Sequence, residues 1–136
     1  MELLKSILIS AAGMHTQGQR MQIIAENVAN ADSLPTKPGE EPYRRKVMTF
    51  KNELDREHSV RLVQINKVSE DKGEFGKRHS PSHPAANDEG YVALPNVNAL
   101  VEMMDMREAQ RSYEANLNMV DTAKKMMLRT IDLLRN

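Results

Sequence analysis

His79 and His83 are the residues in this 136-residue chain whose type and spacing first suggest metal chemistry. Two imidazoles at i and i+4 grip zinc when a helix aligns them and a third ligand completes the set. Here Pro81 and Pro84 prevent such a helix, and no third ligand stands near them in sequence. The pair reads as surface loop, so the expected metal set is empty. His15 falls inside a helical repeat and reads as a solvated or interfacial side chain. With no Cys, no Gly-x-Ser-x-Gly elbow and no Ser/His spacing that supports nucleophilic attack, no catalytic residue is expected either. A Gly-rich phosphate cradle is also missing, so neither a cofactor nor an enzyme activity is expected.

Arg44-Arg45-Lys46 and Lys77-Arg78 are the basic clusters. Nucleic-acid binding needs a basic surplus, whereas 19 basic and 19 acidic residues cancel here. Solvated strand faces or intersubunit ion pairs are the expectation for these clusters, and no nucleic-acid partner is expected. No apolar run approaches the ~18 residues that span a bilayer, so no direct membrane span is expected. The first residues resemble a secretory leader only superficially. Glu2 spoils the basic region, Lys5 interrupts the apolar stretch, and the periodic pattern continues past any cleavage point. The N-terminus is therefore expected to remain uncleaved.

What must position any functional surface is a chain with sharply segregated punctuation. All six prolines lie between Leu34 and Asn96, together with four of the five aromatic residues, while six of the ten Met follow Val97. The pattern predicts a mostly α protein with two long terminal heptad helices forming a coiled coil around a small, irregular, β-containing middle. The expected divisions are an N-terminal helix over 1–31, the irregular middle over 32–96 and a C-terminal helix over 97–136.

In the first helix Leu4, Ile7, Ala11, Met14, Gly18, Met21, Ala25 and Val28 keep a 3-4 alternation, the a/d seam of a coiled coil. Asn30 suits a helix stop, with Pro35 and Pro38 beyond it. The C-terminal helix carries two adjacent stripes. One runs through Ala99, Met103, Met106, Gln110, Tyr113, Leu117, Val120, Lys124, Met127, Ile131 and Leu134. The other runs through Ala109, Ser112, Asn116, Met119, Ala123, Met126, Thr130 and Leu133. Unbroken, such a helix is ~55 Å long at 1.5 Å per residue, and one small subunit cannot bury both of its faces. The first stripe is expected to cover the subunit's own N-terminal seam. The second, with Met119, Ala123 and Met126, is expected to face neighbouring subunits.

The middle predicts strands over Tyr43 to Phe50 and Ser59 to Val68, a turn at Asn87 to Gly90 and a short strand Tyr91 to Leu94 stopped by Pro95. Residues 70–86 read as an irregular loop.

Three strings carry a resemblance. Ala25-Glu26-Asn27-Val28-Ala29-Asn30-Ala31-Asp32, followed by Tyr43-Arg44-Arg45-Lys46, resembles the N-terminal signature of flagellar rod and hook proteins. Ser80 to Asn98 resembles the proximal rod branch of that family, as do Arg111-Ser112-Tyr113-Glu114-Ala115-Asn116 and Ala123 to Leu128. The motif positions are Asn27, Ala29, Asn30, Pro95, Asn96, Asn98 and Asn116. Arg107 to Gln110 and Gly76 to His79 depart from the usual family pattern. The resemblance implies a structural subunit of the flagellar basal body, located in the rod within the periplasmic space. It further implies partners that are copies of itself, other rod proteins and the type III export apparatus. A different rod or hook subunit, or a soluble helical adaptor or export chaperone, is the alternative reading.

Overall fold

The computed structural model describes residues 2–135; Met1 and Asn136, the outermost residues of the two expected terminal segments, lie outside the described residues. Two helices frame the chain, α1 over Glu2–Ala29 and α2 over Ala99–Arg135. Between them lie β1 (Lys46–Asp55), β2 (Val60–Glu70), β3 (Gly76–His79) and β4 (Tyr91–Leu94), paired as two separate two-stranded sheets, β1 with β2 and β3 with β4. Among the described residues no helix is long and apolar enough to cross a membrane.

Asparagines close the helix ends that face the middle. Asn30 satisfies the last turn of α1 twice, its backbone N–H at 3.1 Å and its Nδ2 at 2.8 Å both donating to Glu26 O. Asn98 caps α2, where its Oδ1 accepts from the backbone N–H groups of Leu100 (3.1 Å) and Val101 (3.3 Å).

The chain divides into two compact units. The first takes the described residues of Met1–Met21 and Arg107–Asn136 together with Met48–Lys67, and the second takes Gln22–Val47 and Val68–Met106. In the first unit the buried positions are small: Ser10, Gly13 and Thr16 on α1, Ala109 and Ala123 on α2, with Val60 from β2. The Thr16 hydroxyl lies 2.8 Å from Ala12 O and 3.2 Å from Val63 O, joining α1 to β2. A four-residue turn joins β1 to β2, which only an antiparallel pair permits. Asp55 organises it, accepting from Glu57 N (2.9 Å) and facing His58 Nδ1 at 2.9 Å, and Ser59 follows with φ 54°. The His58 contact holds the Asp55 carboxyl below its usual pKa.

In the second unit β3 and β4 are antiparallel, with Gly76 opposite Leu94 and His79 opposite Tyr91. Val92, on β4, is 0% exposed. The loop expected over residues 70–86 is corrected here, because it contains β3. Gly-Lys-Arg-His has no β-branched or alternating signature of its own, and its strand form comes from pairing with Tyr91–Leu94. The expected turn at 87–90 is present: Asn87 Oδ1 accepts from Glu89 N (3.1 Å) and Tyr91 N (2.8 Å). Gly90 is left-handed at φ 81°, and a Cβ added there would lie 3.0 Å from Pro81 Cγ and 3.2 Å from His79 Nε2.

Gly39 shares that φ but has open space around it, so the two glycines separate backbone strain from crowding. Each Gly→Ala change is expected to cost roughly 1–2 kcal/mol for the left-handed backbone. Gly90→Ala adds the clash with Pro81 and should lower the urea midpoint clearly further than Gly39→Ala. Equal midpoints for the two variants would show that the β3–β4 turn yields freely.

Candidate assembly interface and the polar clasp

Two features stand out. One is a buried polar cluster that ties the second unit together; the other is apolar surface left uncovered along both helices.

The cluster begins with Asn27, 1% exposed, which uses its whole amide. Its Nδ2 donates to Lys46 O (2.9 Å) and Glu102 Oε2 (3.0 Å), while Oδ1 accepts from the Tyr43 hydroxyl (2.8 Å) and Lys46 N (2.9 Å). Glu102, also 1% exposed, takes the Arg45 guanidinium on its other oxygen, Oε1. Arg45 in turn reaches Asp71 and Asp105, each at 3.6 Å. Asn96 completes the circuit, accepting from Arg45 N (2.8 Å) and donating to Asp71 O (3.1 Å) and Gly73 O (3.3 Å). A buried carboxylate is tolerable only when charge and hydrogen bonds meet it on all sides, and this one is so met.

The basic cluster at 44–46 is therefore corrected. Rather than solvated strand faces or intersubunit pairs, all three residues have partners inside the subunit. Arg44 lies 4.2 Å over the Phe75 ring and donates to Asp71 O, Arg45 meets Glu102, and Lys46 pairs with Glu26. Sequence reading passed over Tyr43, Arg45 and Glu102 as a set, because their separation of some sixty positions hides the contact. The one available signal was a lone Glu amid the apolar and Met positions that open α2.

Of the motif positions, Asn27, Asn30, Asn96 and Asn98 take the roles just described, and Pro95 is buried beside them in sequence. Ala29 is exposed. Asn116 lies in the first unit, where its Nδ2 donates to Ser112 O (2.9 Å) and its amide crowds Gly13 so closely that a Cβ there would meet it at 2.8 Å. His83 and His79 have local roles: His83 Nδ1 accepts from Ala85 N (3.1 Å), and the His79 ring meets Tyr91 edge-on at 5.0 Å. Among the described residues no three His, Cys, Asp or Glu side chains are grouped to hold a metal.

The apolar surfaces follow a different line from the buried one. On α1 the buried positions Ser10, Gly13, Ile24 and Asn27 each come one residue before an expected seam position, Ala11, Met14, Ala25 and Val28. One residue is ~100° of helix. Leu4, Ala11 and Ala25 are exposed, and Ile7, Met14, Gly18, Met21 and Val28 only half-buried. On α2 the inward line passes between the two stripes, taking Met106, Tyr113, Val120 and Met127 from one and Ala109, Asn116 and Ala123 from the other. Their alternate members are open. The expectation that the first stripe covers α1 is corrected at its outer positions: Leu117 is 41%, Ile131 54% and Leu134 84% exposed. Met119 and Met126, of the second stripe, are exposed as well. The most deeply buried α2 positions are Glu102, Ala109 and Ala123, which carry little weight in an apolar pattern.

Much of the apolar surface of both helices is thus uncovered in the subunit. Residues 88–133 match the family described as flagellar basal body rod FlgEFG protein C-terminal. Along nearly the whole chain it is similar to flagellar basal-body rod proteins FlgC. The Agrobacterium fabrum protein is 46% identical, covering 93% of this chain and 91% of its own. The Salmonella typhimurium protein is 35% identical over 98% of each chain, and the Bacillus subtilis protein 33% over 94% and 95%. The chain belongs to the FlgC family of flagellar basal-body rod proteins, which are structural components and not enzymes.

The clasp carries a pH signature. Burial pushes the Tyr43 hydroxyl above its usual pKa, helped by the charge of Glu26, and the hydrogen bond to Glu26 raises Lys46. Both groups hold their protons more tightly folded than unfolded, so the stability they give is complete below about pH 10 and is lost as pH rises through the folded values. Urea midpoints should fall above about pH 10. Tyr43→Phe should lower the neutral midpoint yet flatten that alkaline slope; an unchanged slope would remove Tyr43 as its source.

Proposed function

We propose that this subunit builds the proximal rod by polymerising through its terminal helices, which pair as a coiled coil in the assembled torque-transmitting tube. In that reading residues 1–31 and 97–136 form the inner layer and 32–96 lies outside. Copies of this chain and other rod proteins contact the open positions. These are the exposed Leu4, Ala11 and Ala25 on α1 with the half-buried Ile7, Met14, Gly18, Met21 and Val28 beside them, and Leu117, Met119, Met126, Ile131 and Leu134 on α2. The half-buried Tyr113, Val120 and Met127, with buried Ala123, back them from the inward line. The chain reaches the periplasmic space through the type III export apparatus, unfolded and with no cleaved signal.

The observation that carries this is the mismatch between what is buried and what is open. Ser, Gly, Ala, Asn and Glu fill the inward line, while Leu, Ile and Met side chains stand in solvent. Large contiguous apolar surface marks a contact site, and burying each such side chain contributes ~1.5–3 kcal/mol. An open helical polymer repeats that gain at every subunit through faces that are not self-complementary.

Leu117→Asp and Ile131→Asp should abolish rod completion and motility while the secreted protein remains detectable, because export handles an unfolded chain. Arg111→Ala, at an exposed polar position, should leave both near normal. Gly18 offers a sharper test, since nothing lies within 4 Å of a Cβ added there. Gly18→Ala should stabilise the isolated subunit by up to ~1 kcal/mol through helix propensity. It should impair rod assembly nonetheless if a neighbour's backbone approaches that face. Normal rods from both Asp variants would remove the terminal-helix reading.

A further inference from the structure

We propose that Asn27, Glu102 and Arg45 are positioning residues that lock the register of α1 against α2. This concerns the subunit itself and holds whichever neighbour covers the open stripes.

The inward lines of the two helices give packing little power to choose a register. The fully buried contacts of the first unit are small, Gly13 against Asn116 with Ala109 and Ala123, while the larger Met106, Tyr113, Val120 and Met127 on the inward line are only half-buried. The Gln17 amide oxygen is buried with no hydrogen-bond partner among the described residues, so it adds no directional contact. Heptad lines are also degenerate under sliding, because a shift of seven residues restores the same face.

The clasp lacks that degeneracy. A slip of one heptad moves Glu102 by about 10.5 Å along the axis, far beyond hydrogen-bond reach. It would bring either Ala109 or Pro95 to the level of Asn27, and neither can accept from Nδ2 or receive Arg45. Asn27 would lose one of its four hydrogen bonds and Glu102 both of its partners. A heptad slip thus takes both partners from the Glu102 carboxylate, whereas the native alignment supplies them. Fixing register is the best-attested use of buried polar groups in helix pairs. α1 and α2 each run unbroken past the clasp, so Arg20 and Glu108 report on the same two helices that carry Asn27 and Glu102.

The chain has no Cys, so an introduced pair is the only one present. Arg20 Nη2 lies 3.4 Å from Glu108 Oε2, which makes Arg20→Cys with Glu108→Cys the in-register reporter. Arg20→Cys with Ala115→Cys or with Val101→Cys reports a slip of one heptad in either direction. The full-length protein, dilute, is treated with a short bismaleimide, and linkage within the monomer is measured by mass. The unmodified clasp should link 20 to 108 alone. Asn27→Leu with Glu102→Leu keeps volume but removes direction; helicity by circular dichroism should persist, while the 20–108 yield falls at least threefold and a slipped pair appears. Should that variant not fold, Glu102→Gln decides, with at least a twofold loss expected and a slipped product emerging. Val92→Ala destabilises the same unit outside the clasp and should stay in register. Retention of 20–108 as the sole product at full yield in the folded Leu variant overturns the proposal. So does an unchanged yield in Glu102→Gln, or the same slippage in Val92→Ala.

Discussion

A carboxylate removed from water must be met by donors on every side or it destabilises whatever encloses it. Glu102 is that carboxylate, and the second unit is arranged around its needs. One oxygen demands Asn27, near the end of α1; the other demands Arg45, in the connection that follows. Holding Arg45 in place requires Asn96 on its backbone and Asp71 and Asp105 around its guanidinium. Three segments distant in sequence, at Asn27, Arg45 and Asp71, are thereby drawn around one carboxylate, with a helix cap at Asn98 one turn before it.

Against that polar centre, the rest of the subunit is lightly bound. A domain of this length ordinarily encloses a continuous apolar core. Here Ala109, Ala123, Ser10 and Gly13 fill the inward line of the first unit, and side chains of such size gain little from burial. Large apolar residues such as Leu117, Ile131 and Leu134 stand outside it. Small residues inside let two helices approach closely, and large ones outside leave area for other chains. That division is compatible with a subunit of a flagellar basal-body rod family.

How far the sequence could be read depended on how local each signal was. The helix stop at Asn30 and the turn at Asn87 to Gly90 rest on interactions within a few residues, and Tyr91 to Leu94 carries a strand signature of its own between that turn and Pro95; each was legible. The strand Gly76–His79 was not, because its pairing partner lies fifteen or so positions away and its own residues favour no strand. On α1 the buried line runs one residue before several of the expected seam positions, for a related reason. Periodicity weighs apolar side chains, and on this helix the apolar line is the outer one.

By itself, then, the sequence determined that two long helices bracket a Pro-rich middle, where those helices stop, and that more apolar helix surface exists than one subunit can hide. Those properties follow from spacing, caps and breakers, all of them short-range. Only the tertiary structure decided which line of each helix turns inward, and that Tyr43, Arg45 and Lys46 serve Asn27, Glu102 and Glu26 rather than solvent or a neighbour. The physical reason is that a buried polar cluster depends on direction and distance among side chains far apart in the chain. Hydropathy along the chain records neither.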